Sequence, residues 1–259
     1  MLEFCKSTYL QCENLFRKYL LSLSSDYDNY LEDHILASEF YSIIFEQEQI
    51  GYFSIHQCSL LTQFYIKHTK LKLAQAAFRQ VIQFFHIRWA YVPTCDELFL
   101  SLAIEQNKKV EIQSYTFMDT DLPVEEAGYS RNNFKLLPKS EWESANQNSE
   151  NFFVEMYSDK VKNGLMFEIY ALYDNHDILG YGLREGQRIF TNCTATGMYT
   201  IPCHRQKGVG RSIILFLKQI CYGDGKKPIP ACWYYNENSK RTLESCGYTS
   251  KTRLLKIHF

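Results

Sequence analysis

Arg205-Gln206-Lys207-Gly208-Val209-Gly210-Arg211 stands between an alternating segment, Thr194 to Ile201, and an apolar run, Ile213 to Ile220. The alternation predicts a strand and the run predicts a helix, so the heptapeptide is a strand-to-helix junction. The first backbone N–H groups of a helix have no acceptor inside it, and such a junction can wrap them around a phosphate. Gly208 permits close backbone approach in the turn, and Gly210 keeps the first helical turn clear of a bulky side chain. Arg205, Lys207 and Arg211 add positive charge. Together these features point to a diphosphate-bearing ligand. The Walker pattern needs a longer loop ending in Gly-Lys-Ser/Thr, and the dinucleotide fingerprint needs three spaced glycines; neither fits.

Around the junction the second half reads as a mixed α/β unit. Leu165 to Tyr173 and Ile178 to Leu183 flank the turn Asp174-Asn175-His176-Asp177 and read as strands. The helix from about Gly208 to Cys221 is followed by a Gly- and Pro-punctuated loop and by a strand over Ile229 to Tyr235. In the first half, residues 1–36 read as helical, Glu39 to Phe45 and Ile50 to Ile55 as paired strands, Leu71 to Phe85 as a helix and His86 to Val92 as a strand. The halves echo one another in Ile50-Gly51-Tyr52-Phe53 and Leu179-Gly180-Tyr181-Gly182, and in tryptophan strands at Trp89 and Trp233. This predicts a degenerate duplication. The first half offers Lys67-His68-Thr69-Lys70-Leu71-Lys72 where the second has its glycine turn. Phe117 to Gln147 is the expected connector, with Phe152, Phe153 and Met156 opening a further amphipathic helix. Domains are placed at 1–125 and 126–259.

The chain has 259 residues, with 28 basic and 29 acidic side chains, so no global field draws it to nucleic acid. Nine cysteines without a CxxC pair, and no opening secretory pattern, predict a reduced cytoplasmic protein. No apolar run is long enough for a membrane span. His176 between Asp174 and Asp177 reads as a solvated turn, and no metal site is expected. Cys203-His204 lacks an orienting acid, and adjacent strand side chains diverge, so neither it nor Cys193, Cys232 or Cys246 is read as a nucleophile.

A second block, Ala231-Cys232-Trp233-Tyr234-Tyr235-Asn236-Glu237-Asn238-Ser239, is followed by Leu243-Glu244-Ser245-Cys246-Gly247-Tyr248. Asn236 is suited to cap a helix or to hydrogen-bond an amide-rich ligand, and Gly247 to end that helix. With these residues, the pair of strands around Gly180 and the Arg205–Gly210 turn, the chain resembles the GCN5-related N-acetyltransferase (GNAT) superfamily. The resemblance is clearest over residues 165–259. Within the superfamily it is most similar to the branch containing the zwittermicin A resistance protein. It implies a tandem mixed-sheet α/β fold whose first copy is noncatalytic and helps frame an acceptor groove.

The resemblance further implies acetyl-CoA as cosubstrate and transfer of its acetyl group to an amine of a small molecule. Met198, Tyr199 and Thr200 would meet the pantetheine arm. Arg205, Gln206, Lys207, Gly208, Val209, Gly210 and Arg211 would hold the diphosphate, and Asn236 and Ser239 would approach from the neighbouring strand. Asn236 and Glu168 are the expected catalytic residues, Glu168 and Tyr170 lying on a strand able to face the acceptor. Many members carry a tyrosine general acid where this chain has Leu243; Tyr235 and Tyr248 are the alternatives. That departure keeps open a noncatalytic CoA-binding regulatory or interaction protein, and the sequence leaves oligomeric state undecided.

Overall fold

The computed structural model describes residues 1–153 and 164–259; the expected helical start at Met156 lies outside the described residues. The chain forms two compact units, Met1–Ser114 together with Thr252–Phe259, and Tyr115–Lys251.

Unit 1 opens with β1 (Leu2–Ser7), then α1 (Tyr9–Ser22), α2 (Asn29–Leu36), β2 (Glu39–Phe45), β3 (Glu48–His56), β4 (Leu60–Ile66), α3 (Ala74–Phe84), β5 (Trp89–Pro93) and α4 (Glu97–Glu105). β6 (Lys109–Asp119) and β12 (Tyr248–His258) are each divided between the units. The strand order is β1-β2-β3-β4-β5-β12, antiparallel except for the β4/β5 pair. Residues 2–7, expected to be helical, are an edge strand paired to β2, because Leu2 and Phe4 alternate and pack on the core. Thr8 and Gln11 form a reciprocal capping box that starts α1 only after this strand.

Phe53, Phe64, Phe78, Val81 and Phe99 bury one face of the sheet under α3 and α4. Each such side chain contributes roughly 1.5–3 kcal/mol. The opposite face carries aromatic contacts from α1: Tyr19 packs on Tyr52 and Tyr65, which are themselves cross-strand partners.

Unit 2 contains β7 (Phe134–Leu136), α5 (Trp142–Asn148), β8 (Phe167–Asp174), β9 (Asp177–Gly186), β10 (Cys193–Thr200), α6 (Val209–Gly223), β11 (Lys227–Trp233) and α7 (Glu237–Ser245). Its strands run β11-β10-β9-β8-β7, with β10 and β11 parallel. Ile213, Phe216 and Leu217 of α6 pack on one face with Tyr170, Leu172 and Leu179, and Leu243 of α7 joins them. Trp142 and Ala145 of α5 cover the other face over Phe167, Ile169, Tyr181 and Leu183.

The internal repeat is structural. In β3, Gly51 pairs with Ile66 and Tyr52 with Tyr65; in β9, Gly180 pairs with Thr200 and Tyr181 with Tyr199. A Cβ on Gly51 would lie 2.2 Å from the Tyr65 carbonyl oxygen, and one on Gly180 would lie 2.6 Å from that of Tyr199. Both glycines therefore admit the same close crossing of the neighbouring strand. The tryptophan echo is corrected by register. Trp89 pairs at the start of the parallel contact with β4, whereas Trp233 lies three residues beyond the last pair with β10.

Candidate functional site

β10 and β11 run side by side from Cys193/Lys227 to Thr196/Pro230 and then part. β10 continues to Thr200 bonded only to β9, and β11 continues to Trp233. Among the described residues the pairing of the two limbs ends at Thr196 and Pro230, and the gap beyond suits a linear amide-bearing ligand.

At the head of this split lies the glycine turn. Gln206 and Gly208 both have left-handed backbone, with φ of 62° and 78°. Two such residues in one turn aim successive N–H groups into a shared concavity. Left-handed backbone costs a non-glycine residue about 1 kcal/mol, so the conformation of Gln206 is strain held at the turn. Gly208 is the N-cap of α6 and offers no side-chain acceptor; the helix has no acidic residue in its first turn. Ser212 is the residue whose amide reaches the Gly208 carbonyl, at 3.0 Å. The amides of Val209, Gly210 and Arg211 therefore face outward without an intrahelical partner. At the far end, Gly225 in left-handed backbone stops the helix, and the Lys226 amide returns to Cys221 at 2.8 Å.

A Cβ on Gly210 would stand 3.1 Å from Met198 Sδ, 3.1 Å from Thr200 Oγ1 and 3.6 Å from a Thr242 methyl. Met198, Thr200 and Gly210 are thus brought together at one point. Arg205 donates to the Thr200 carbonyl at 3.3 Å, and Lys207 is exposed in the turn. Arg211 is directed elsewhere: its guanidinium donates to the carbonyls of Glu125 and Glu126 at 2.5 and 2.7 Å. Its backbone amide, rather than its charge, belongs to the turn.

Asn236 ends the β11 limb as the N-cap of α7, its Oδ1 accepting from the Ser239 amide at 3.1 Å. The capping role leaves the side-chain NH2 group as a donor. Ser239 is therefore placed by the cap. Glu168, expected toward an acceptor, is found on the face covered by α6. Its carboxylate accepts from Arg184 at 2.9 Å and from the Tyr170 hydroxyl at 2.8 Å. Arg184 is only 2% exposed and is bonded on its other side to Asp224. Among the described residues Glu168 bonds to Arg184 and Tyr170, and Asn236 caps with Ser239, so the two are not brought together; Glu168 serves the buried guanidinium.

Leu243, 2% exposed, is part of the core between α6 and α7. Tyr248 is buried beneath Lys218, whose ammonium lies 5.1 Å from its ring, and burial pushes its phenol far up. Tyr235 stands exposed next to Asn236. Burial likewise pushes the thiols of Cys232 and Cys246 up to about 11, which keeps both protonated at neutral pH.

Sequence reasoning missed the aromatic lining of the split. Phe152 lies 3.7 Å from a Cβ built on Gly197, and its ring is 5.8 Å from that of Tyr199. The phenol of Tyr199 is raised by burial and then by the Glu150 carboxylate beside it, with Arg205 pulling the other way. The signal available in the sequence was the alternation in β10, which places Gly197 and Tyr199 on one face.

Residues 9–120 match the family model described as an acetyltransferase (GNAT) domain. No curated protein is detectably similar to the chain in sequence. Among solved structures, an acetyltransferase of the GNAT family from Colwellia psychrerythraea is similar at a TM-score of 0.84 and 14% identity, covering 100% of this chain and 99% of that one. A tandem GNAT protein from the clavulanic acid biosynthesis pathway gives 0.63 and 10%, over 99% and 98%. A GCN5-related N-acetyltransferase from Sphaerobacter thermophilus gives 0.61 and 11%, over 99% and 95%. The fold is the mixed α/β fold of the GNAT acetyltransferases, in a tandem arrangement.

Proposed function

We propose that unit 2 binds acetyl-CoA and transfers its acetyl group to a primary amine of a small molecule. The observation that carries the reading is the set of outward amides at Val209, Gly210 and Arg211, uncapped and set at the head of the β10/β11 split. These amides suit a diphosphate, with Arg205 and Lys207 supplying charge. Gln206 and Gly208 shape the turn, and the Met198–Thr200 edge suits the amides of a pantetheine arm. The bound thioester supplies an activated acetyl group. The neutral amine nitrogen forms the new C–N bond as the C–S bond breaks, sulfur leaves with the electron pair, and the amine proton passes to water. In this reading the NH2 group of Asn236, free of the cap made by its Oδ1, orients the carbonyl at the end of the β11 limb.

Leu243 supplies no proton and Glu168 is bonded to Arg184, so in this reading the sulfur departs directly as the thiolate, and Tyr235, exposed beside Asn236, is left to the acceptor side. In this reading unit 1 is a copy that no longer binds CoA: its corresponding segment, Lys67 to Leu73, contains no glycine, and Tyr19 packs on the strand positions that match Tyr181 and Tyr199.

Gly210→Val tests this. Valine pushes a branched side chain against Met198 and Thr200, and the affinity for acetyl-CoA measured by calorimetry is expected to fall at least about tenfold, the equivalent of ~1.4 kcal/mol. Unchanged affinity in a folded variant refutes the site. Acetyl-CoA binding without turnover on any amine would instead favour a CoA-binding interaction protein, the reading that Leu243 motivates.

A further inference from the structure

The parallel register between β10 and β11 gives a means of locating the acceptor. Its last pair is Thr196 with Pro230. Carried three residues further along both limbs, that register sets Tyr199 level with Trp233. Ala195 and Ile229 are partners and share a face; by alternation Gly197, Tyr199, Ala231 and Trp233 share it too. It is the face opposite Cys232 and Met198, which pack with α6 and α7. Among the described residues those helices pack on their own side of the split, which leaves the Tyr199 and Trp233 side for the amine.

That side is aromatic. Trp233 is 59% exposed and Tyr235 is 66% exposed. Their rings meet edge to face, 5.1 Å apart at 67°, so both keep flat surface unstacked by the other. Phe152 lies over Gly197 at the point where the strands part. Single exposed aromatics are ordinary, but a neighbouring exposed pair at the end of one limb, level in register with Tyr199 on the other, has the character of a recognition surface. The Glu150 carboxylate and the Arg205 guanidinium act on the Tyr199 phenol in opposite senses, an arrangement ill suited to a polycation, which needs several unopposed carboxylates.

We propose that the acceptor amine is carried on a planar aromatic group that lodges between Tyr199 on the β10 limb and the Trp233–Tyr235 pair on the β11 limb. The proposal rests on the acetyl-transfer reading and adds the substrate class. Stacking holds the ring at the rim, and a short alkyl arm carries the nitrogen inward to the split, where the C–N bond forms, the C–S bond breaks, sulfur keeps the electron pair and the amine proton goes to water.

The test compares three acceptors with acetyl-CoA at saturation: an arylethylamine, its cyclohexyl analogue with the same arm, and a linear diaminoalkane, with released thiol as the readout. The arylethylamine is expected to show kcat/KM about tenfold above the other two. Trp233→Ala should raise its KM about tenfold, Trp233→Phe should restore most of the loss, and the cyclohexyl analogue should shift far less. Acetyl-CoA affinity, read by calorimetry, reports on the fold of each variant and should stay at the wild-type value. Equal use of the aryl and cyclohexyl amines, preference for the diamine, or an equal effect of Trp233→Ala on all three overturns the inference while acetyl transfer stands. Failure to turn over any amine, with acetyl-CoA bound, overturns both.

Discussion

Asp96 gives unit 1 a pH dependence that can be worked from its surroundings. It caps α4, with Oδ1 accepting from the Phe99 amide at 3.0 Å, and is 5% exposed. Burial pushes its carboxyl up to about 7 from an ordinary 3.8, with the Phe99 amide and the Tyr19 hydroxyl pulling it back only in part. A carboxyl whose pKa is raised in the folded state binds its proton more tightly there than in the unfolded chain. Its contribution is therefore fully present below about pH 4 and is lost as pH rises through about 7. A gap of about 3 pH units at ~1.4 kcal/mol each makes the loss about 4 kcal/mol at most.

Asp96→Asn keeps the oxygen that caps α4 and carries no charge at any pH. The variant should match the wild type near pH 4 and be more stable by up to about 4 kcal/mol near pH 8. Some dependence will persist, because burial also raises Asp28 to about 6. Hydrogen exchange followed by mass spectrometry on peptides from α4 and β4 reads the effect within unit 1. An equal stability difference at both pH values would refute the reasoning, since it would make the effect one of packing rather than of charge.

Leu243→Tyr should destabilise unit 2 by about 1–3 kcal/mol by overpacking the interior, lowering Tm without raising turnover; a rise in kcat with a new alkaline limb would show that position 243 opens on the thioester. Glu168→Gln should leave the pH profile of kcat/KM in place while costing about 1–3 kcal/mol, because it removes a charge-assisted bond from the buried Arg184. Denaturant melts and rate profiles on one preparation check this, and loss of the acidic limb in a variant of unchanged stability would return Glu168 to the chemistry.

The second half was legible because its signals are local. The alternation in β10, the Arg205–Gly210 turn and the cap at Asn236 each specify backbone within a few residues, and β8 to β11 emerge close to their expected limits. The family model, however, matches residues 9–120, the half that carries no glycine turn comparable to Arg205–Gly210. Its identity is spread through long-range pairing that short motifs do not express. β4 escaped notice because Leu60, Leu61, Thr62, Gln63, Phe64 and Ile66 are all buried, so both faces are covered and no alternation remains to be read. Glu168 shows the opposite failure. A carboxylate on a strand has the same local pattern whether it faces solvent or a buried guanidinium, and only the cross-strand pairing with Arg184 decides which.

The same local physics explains why the two repeats open the corresponding helix differently. In unit 1 the chain passes from β4 into a 3₁₀ turn over His68–Leu73, which runs directly into α3. The Ala74 amide is already bonded to the Leu71 carbonyl. A helix that grows out of such a turn finds partners for its first donors in the preceding carbonyls, and little is left for a ligand. In unit 2 the 3₁₀ turn stops at His204, and left-handed backbone at Gln206 and Gly208 swings the preceding carbonyls out of line. The first amides of α6 are then left without helical partners, an end of the kind that favours anions. Gly208 is therefore required for its backbone rather than for space, since nothing lies within 4 Å of where its Cβ would be. Lys67 to Leu73 contains no glycine, the residue that takes left-handed backbone most readily.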